Sequence, residues 1–123
     1  MAKESDTNIL IEFYKGDEKI LKSLERIGQH NIGISIITVG ELFYGALNKS
    51  ELMQIKKDLS YLQLLEINEK VNTIFYNLMI KYSLSHKLSL PDALIAATAL
   101  SYDVKLYTLN TKDFRFIDGL ELY

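Results

Sequence analysis

Short segments of strand character alternate along this chain with longer segments of helical character. The strand-like segments are 32–35, 64–67, 104–108 and 120–123, and the helix-like segments are 8–16, 17–27, 38–48, 51–62, 69–84 and 91–102. The clearest helix is 69–84, where apolar residues recur three and four positions apart. Because parallel strands need a long crossover, usually a helix, this alternation predicts an α/β fold: a three-layer α/β/α sandwich around a mainly parallel central sheet.

The length and composition of the chain fit one domain. The chain has 123 residues, of which 48% are hydrophobic and 24% charged. These values allow a core of ordinary size and lack the signature of a disordered chain. We therefore expect a single domain over residues 1–123. The sequence has no cysteine, which excludes disulfides and thiolate metal sites and fits a reducing compartment.

The apolar segments and the charge balance bear on location and partners. The first residues contain no apolar signal core, and no apolar run approaches the ~18 residues that span a bilayer. We therefore expect a cytoplasmic protein with no membrane partner. Lys and Arg number 14 and Asp and Glu number 16, which gives a net charge of −2. A nucleic-acid partner would thus need a local basic patch or a bound metal.

Four acidic residues stand at the starts of helix-like segments: Asp6, Glu41, Asp92 and Asp113. In an open parallel sheet the ligand site lies beyond the carboxyl ends of the strands, where helices begin, so we expect these acids to meet in one cleft. Helix capping is the alternative explanation for each of them. Glu41, Asp92 and Asp113 are each the fourth residue of a string such as Ser89–Asp92, which is typical of a capping box.

A shared cleft would place these carboxylates in mutual repulsion. Two carboxylates about 4 Å apart repel by ~4 kcal/mol at an effective dielectric constant of 20, more than helix caps worth ~1 kcal/mol each would offset. A divalent cation removes this conflict. An all-oxygen set of ligands suits Mg²⁺ or Mn²⁺ and suits zinc poorly, and such an ion can activate water and neutralise a phosphodiester.

Four segments together resemble the signature blocks of PIN-domain ribonucleases, and specifically of VapC toxins of type II toxin–antitoxin systems. These segments are Asp6–Ile11, Ile37–Gly45, Leu90–Ala99 and Thr108–Phe114. They occur in the family's order, and the resemblance extends from Asp6 to Tyr123. The resemblance implies a PIN-like fold and a metal-dependent endoribonuclease that cleaves RNA, commonly tRNA or rRNA.

The resemblance also assigns roles to individual residues. The acids that match Asp6, Glu41, Asp92 and Asp113 hold Mg²⁺ or Mn²⁺ and drive hydrolysis in the family. Two further residues match polar positions that help to orient the acids, and these are Thr108 and Asn110. The resemblance further implies a cognate antitoxin that covers the cleft, and a homodimer. The RNA target, the identity of the antitoxin and the number of metal ions are left open.

One segment departs from the family pattern. The family places an apolar strand directly before the first acid, whereas this chain has Lys3–Ser5, which is polar and poor in β propensity. We therefore expect a first strand that is shortened or unevenly packed.

Two other functions remain as alternatives. The first is a PIN-like binding module that retains the acids without cleaving RNA. The second is a phosphorylatable receiver domain, which needs an acceptor aspartate at the end of its third strand. The only mid-chain aspartate is Asp58, which lies within a helical pattern.

The histidines and aromatic residues receive no catalytic role from the sequence. His30 and His86 each lie near the end of a predicted helix, without a second ligand at metal-binding spacing. The tyrosines and phenylalanines suggest base stacking, but core packing explains most of them equally well. The apolar residues of the early helices, such as Phe13, Tyr14 and Tyr44, exceed what a small core needs and indicate an interface.

Overall fold

A computed structural model describes residues 3–123 as four strands and six α-helices. In chain order these are β1 (Lys3–Ser5), α1 (Thr7–Tyr14), α2 (Glu18–Ile27), β2 (Ile32–Ser35), α3 (Ile36–Tyr44), α4 (Lys49–Leu59), β3 (Gln63–Leu65), α5 (Glu69–Tyr82), α6 (Leu90–Tyr102) and β4 (Lys105–Tyr107). Short 3₁₀ turns at Gln29–Asn31 and Thr111–Asp113 complete the list. The strands form one sheet in the order β3-β2-β1-β4, and every pairing is parallel. The predicted α/β sandwich is confirmed.

Helices cover both faces of this sheet because neighbouring strand residues point to opposite sides. Leu106 of β4 packs into a core with residues of α5 and α6 on one face. Tyr107, the next residue, packs on the other face with residues of α1 and α2, and Ile34 of β2 packs beside them with residues of α1, α3 and α4. α6 is rich in alanine, and Ala93, Ala96, Ala97 and Ala99 are fully buried, so this helix lies close to its neighbours.

The polar segment Lys3–Ser5 forms the central strand, although its residues have low β propensity. β1 pairs with β2 on one side and with β4 on the other, over its full length with β4. Two neighbouring strands therefore supply the backbone hydrogen bonds, and this tertiary pairing overrides the propensity of the side chains. The strand is short, as expected, and it buries Glu4 and Ser5 almost completely.

Several predicted boundaries differ from the structure by a few residues, and three of the differences have a clear local cause or extent. The segment 120–123 forms only a single bridge, between Leu122 and Leu106, because it follows β4 for one residue pair. β3 begins and ends earlier than the predicted 64–67. The helix predicted to open at Thr38 starts at Ile36 instead, because the Ser35 side chain caps it by accepting a hydrogen bond from the Thr38 backbone nitrogen.

No helix within residues 3–123 combines the length and the apolar character needed to cross a membrane.

Candidate functional site

Asp6 lies directly beyond the end of β1 and is held by the end of the neighbouring strand. Its backbone nitrogen donates to the Tyr107 carbonyl at 2.9 Å, and the Thr108 hydroxyl donates to Asp6 Oδ2 at 2.8 Å. The Thr108 oxygen in turn accepts from the Asn110 backbone nitrogen at 3.0 Å. Asp6 is only 4% exposed. Its carboxylate is therefore fixed at the carboxyl edge of the sheet by Thr108, and Asn110 contributes through its backbone.

Asp92 occupies the first turn of α6, on the helix that packs against the centre of the sheet. The helix begins with Ser89 as its cap, and the Ser89 hydroxyl oxygen accepts from the Asp92 backbone nitrogen at 3.3 Å. Pro91 fits the start of the helix because its missing N–H has no partner to lose there. The predicted helix cap at Ser89 is therefore confirmed. The carboxylate of Asp92 nevertheless has a second set of neighbours.

Those neighbours are the other three predicted acids. The pKa of Asp92 rises from its ordinary 3.8 to about 6, first because the carboxyl is partly buried and next because of the negative charge of Asp6. A hydrogen bond with Ser89 opposes the rise, while the charges of Asp113 and Glu41 add to it. The structure thus brings all four acids into electrostatic contact at the carboxyl edge of the sheet.

Glu41 and Asp113 reach this cluster from its exposed side. Because α3 starts at Ile36, Glu41 lies in the second turn, so the interpretation of Glu41 as a capping-box residue is wrong. Asp113 ends the 3₁₀ turn Thr111–Asp113. Asn110 directly precedes that turn. Within the described part of the chain its side chain makes no capping hydrogen bond, so the predicted capping box at Asp113 does not form. Both acids are exposed.

Glu4 is a fifth acid near the cluster, and sequence reasoning missed it. It is 0% exposed, and among residues 3–123 neither of its carboxylate oxygens finds a hydrogen-bond partner. Burial raises the pKa of this carboxyl well above its usual range, and the nearby charge of Asp6 raises it further. The signal was present in the sequence as an acid two positions before Asp6, because residues at that spacing share one face of a strand.

The donor chemistry of the cluster fits a hard divalent cation. All four predicted ligands are carboxylates, and the pKa of Asp92 is raised by its partial burial and then by neighbouring negative charge that a cation would neutralise. Within residues 3–123, however, no three acidic, histidine or cysteine side chains are arranged so that they could hold a metal ion together. Mg²⁺ is usually bound by one or two carboxylates and keeps several waters, so two carboxylates of the cluster would be enough for direct coordination of such an ion.

Comparison with known proteins places this arrangement in a family. The model of the PIN domain matches residues 5–120, a range that contains all four acids. The chain belongs to the PIN domain family. It is 33% identical over 126 residues to Ribonuclease VapC2 from Rickettsia felis, and the match covers 95% of this chain and 92% of that protein. The predicted family resemblance is therefore confirmed.

Solved structures of toxin–antitoxin proteins share this fold over nearly the whole length of the matched chains. A toxin–antitoxin complex from Klebsiella pneumoniae superposes with a TM-score of 0.83 at 34% identity, covering 97% of this chain and 95% of that one. VapBC2 from Rickettsia felis, solved with a DNA fragment of its promoter, gives a TM-score of 0.85 at 28% identity, covering 100% and 98%. PIN-domain ribonucleases generally depend on divalent metal ions.

Proposed function

We propose that this PIN-domain chain is an endoribonuclease that hydrolyses RNA phosphodiester bonds with Mg²⁺ or Mn²⁺, as the toxin of a toxin–antitoxin pair. One observation carries the catalytic part of the proposal: Asp92 is partly buried and lies within reach of the charges of Asp6, Asp113 and Glu41, and its burial first and these charges next raise its pKa to about 6. Capping alone does not bring four acids to one edge of a sheet. The similarity to Ribonuclease VapC2 supports RNA as the substrate.

Within this proposal the four acids have different roles in binding the cation. Asp6 and Asp92 bind the cation directly, because they are the more buried and their charges act on each other most strongly. Glu41 and Asp113 are exposed, and they hold water and the cation from the outer side. When bound, a divalent cation supplies an activated water and neutralises charge on the phosphodiester.

Thr108 and Asn110 act through Asp6 in this site. The Thr108 hydroxyl donates to Asp6 Oδ2, and this bond favours the ionised carboxylate and fixes its orientation. The backbone nitrogen of Asn110 orients the Thr108 hydroxyl by donating to its oxygen. Both are therefore positioning residues, as the family resemblance implies.

We also propose an antitoxin partner and a homodimer, in a protein that works in the cytoplasm on tRNA or rRNA. The complexes among its structural relatives support an antitoxin. An apolar groove of about 480 Å³ lies between α1, α2 and α4, and Leu10, Phe13 and Leu62 contribute to its lining. Such a groove suits an apolar partner segment. The absence of cysteine fits the reducing cytoplasm.

The structure does not support the receiver-domain alternative, because Asp58 does not lie at the end of a strand. Asp58 lies in α4, where it accepts hydrogen bonds from the Tyr14 hydroxyl at 2.9 Å and from Gln54 at 2.9 Å. It follows no strand and is absent from the charges that act on Asp92. The alternative of a binding module without catalysis is decided by measuring cleavage.

The test is cleavage of total RNA by the purified protein with Mg²⁺ or Mn²⁺, and again with EDTA. We expect cleavage with either metal and none in EDTA. Asp92→Asn should abolish cleavage. Its matched control is Asp103→Asn, at the opposite end of the same helix, where the left-handed backbone (φ 54°) suits Asn as well as Asp. The control should retain activity.

Cleavage that continues unchanged in EDTA would refute the metal-dependent mechanism. RNA binding without cleavage under any of these conditions would favour the binding-module alternative.

A further inference from the structure

Two loops lie beside the acidic cluster on the same edge of the sheet. α5 and α6 run antiparallel, because the Tyr102 hydroxyl near the end of α6 donates to the Glu66 carbonyl before α5 at 2.7 Å. The loop 83–89 between them therefore lies at the start of α6, next to Asp92. The segment 114–119 follows Asp113 directly. These two loops flank two of the four acids.

A stacked pair of rings joins the two loops. The His86 imidazole lies parallel to the Phe116 ring, with 4.1 Å between ring centroids and 13° between planes. Phe116 is packed against the buried core of α5 and α6, so it is a firm base for the stack. A hydrogen bond of 2.8 Å between Ser85 Oγ and His86 Nδ1 limits rotation of the imidazole. The exposed His86 ring is therefore held in one orientation.

Among residues 3–123, the ring contacts of His86 leave one face of its imidazole uncovered. The Tyr82 ring is 5.5 Å from the His86 centroid but only 5.0 Å from the Phe116 centroid. It therefore lies beside the stack, on the Phe116 side of the imidazole. Neither ring covers the opposite face of His86, and the residue is exposed.

Three exposed cations lie in or directly beside the two loops that carry the stack. Lys87 follows His86 in the first loop, Arg115 lies in the second loop, and Lys112 lies in the 3₁₀ turn directly before the second loop. Lys81, on the helix that leads into the first loop, is already paired with Asp118 at 2.8 Å. The loops therefore carry a net positive charge beside a negative cluster, in a chain whose overall charge is −2. This is the local basic patch that a nucleic-acid partner needs.

We infer that the His86–Phe116 stack is a platform for one base of single-stranded RNA beside the acidic cluster, with Lys87, Lys112 and Arg115 contacting the flanking phosphates. Unpaired bases stack on aromatic rings, including histidine, and single strands are bound by such rings together with cations that follow the backbone. This inference rests on the proposed ribonuclease function and adds where the substrate lies.

The test is fluorescence anisotropy with a short, labelled, single-stranded RNA of mixed sequence, in EDTA so that binding is measured without cleavage. His86→Ala should weaken binding about tenfold or more, in line with the value of one stacked base. His86→Phe should bind like the wild type, because it retains a flat ring. Phe116→Leu should weaken binding, because it preserves apolar packing but removes the support of the stack.

The chain offers a matched control for the histidine. His30 is also exposed, and it lies in the 3₁₀ turn before β2, at the opposite edge of the sheet. His30→Ala should bind RNA like the wild type. Circular dichroism of each variant checks that the fold is intact.

Salt dependence tests the phosphate contacts separately. Each phosphate contact with a single strand contributes about 0.7 to the slope of log affinity against log salt. Lys87→Ala should reduce the slope by about that amount. Lys70→Ala, at the start of α5 and so at the far end from the loop, should leave the slope unchanged.

Equal RNA affinity of His86→Ala and His30→Ala would overturn the inference, as would a wild-type protein that binds no single-stranded RNA. Weak binding by both His86→Ala and His86→Phe would overturn the stacking contact. These results are distinguishable from a failure of the proposed function. RNA binding that depends on His86 without any cleavage would refute the catalysis and support the platform. Cleavage and RNA binding that are both unchanged in His86→Ala would support the catalysis and refute the platform.

Discussion

Replacing Asp92 by Asn should stabilise the metal-free protein and remove its activity. The pKa of Asp92 lies at about 6 instead of 3.8, a difference of about two units. At 1.36 kcal/mol per unit this corresponds to roughly 3 kcal/mol, and because Asp92 is only partly buried, solvent screening reduces the expected gain to about 1–2 kcal/mol. Asn keeps the size of the side chain and an oxygen that accepts from Ser89, so the change mainly removes charge.

The sign of the effect with pH follows from which state holds the proton more tightly. The folded pKa is higher than the unfolded one, so the folded state binds more protons between about pH 4 and pH 6 and the wild type loses stability as the pH rises through that window. The advantage of Asp92→Asn should therefore be absent near pH 4 and complete above pH 6. Urea unfolding of both proteins in EDTA at several pH values measures it.

Saturating Mg²⁺ should reverse the order of stability. A ligand that binds only the folded state stabilises it by RT ln(1 + [L]/Kd), which is about 2.7 kcal/mol at a hundred times Kd. The wild type gains this increment, whereas Asp92→Asn binds the ion weakly and gains little. A variant that is less stable than the wild type in EDTA, responds to Mg²⁺ equally and still cleaves RNA would refute the reasoning and leave Asp92 as a helix-start residue. Asp103→Asn is the control, since its carboxylate lies at the other end of α6.

Two further predictions concern Glu4 and the oligomeric state. Glu4→Met should raise the free energy of unfolding at neutral pH by about 1–3 kcal/mol, because it removes a buried carboxyl that finds no hydrogen-bond partner among residues 3–123. The gain should shrink as the pH falls toward 4.5, since a folded pKa above the unfolded one makes the wild type more stable in acid. Urea unfolding that shows a loss at every pH would contradict this. Light scattering at micromolar concentration should show a homodimer, because large apolar side chains are exposed at two places. Tyr44 at the end of α3 and Leu47 after it are 94% and 86% exposed, and Tyr76 and Ile80 on α5 are 66% and 67% exposed. A strict monomer would count against this prediction.

The sequence predicted those elements whose pattern is local. α5 and the start of α6 follow from apolar spacing, from Ser89 and from Pro91, all within a few residues of the helix they define. The strand β1 was not predictable in this way. Its residues are polar, and it forms because β2 and β4 flank it, which depends on contacts about 30 and 100 residues away.

The candidate site shows the same division. That the acids meet followed from a general property of parallel sheets, and the charges acting on Asp92 agree with it. The sequence did not predict which of these acids are buried and which are exposed. The sequence predicted Glu41 in the first turn of a helix, because Thr38 resembles an N-cap residue. In the structure the N-cap is Ser35, three residues earlier, so Glu41 lies in the second turn. Competing caps of similar strength cannot be ranked from sequence spacing alone.

The buried acids couple the stability of the fold to the binding of protons and cations. Glu4 lies on the central strand and Asp6 directly beyond its end, and the charge of Asp6 contributes to the raised pKa of both Glu4 and Asp92. Each of these shifts has the same sign, so negative charge at the carboxyl edge opposes folding when no cation is bound. Protons and divalent cations both relieve that charge, and both act at Asp92. Acid should therefore stabilise the metal-free chain while weakening its affinity for Mg²⁺. The stability should change across the window from about pH 4 to about pH 6, whereas the affinity for Mg²⁺ should fall as the pH drops through about 6, the pKa of Asp92 in the folded chain.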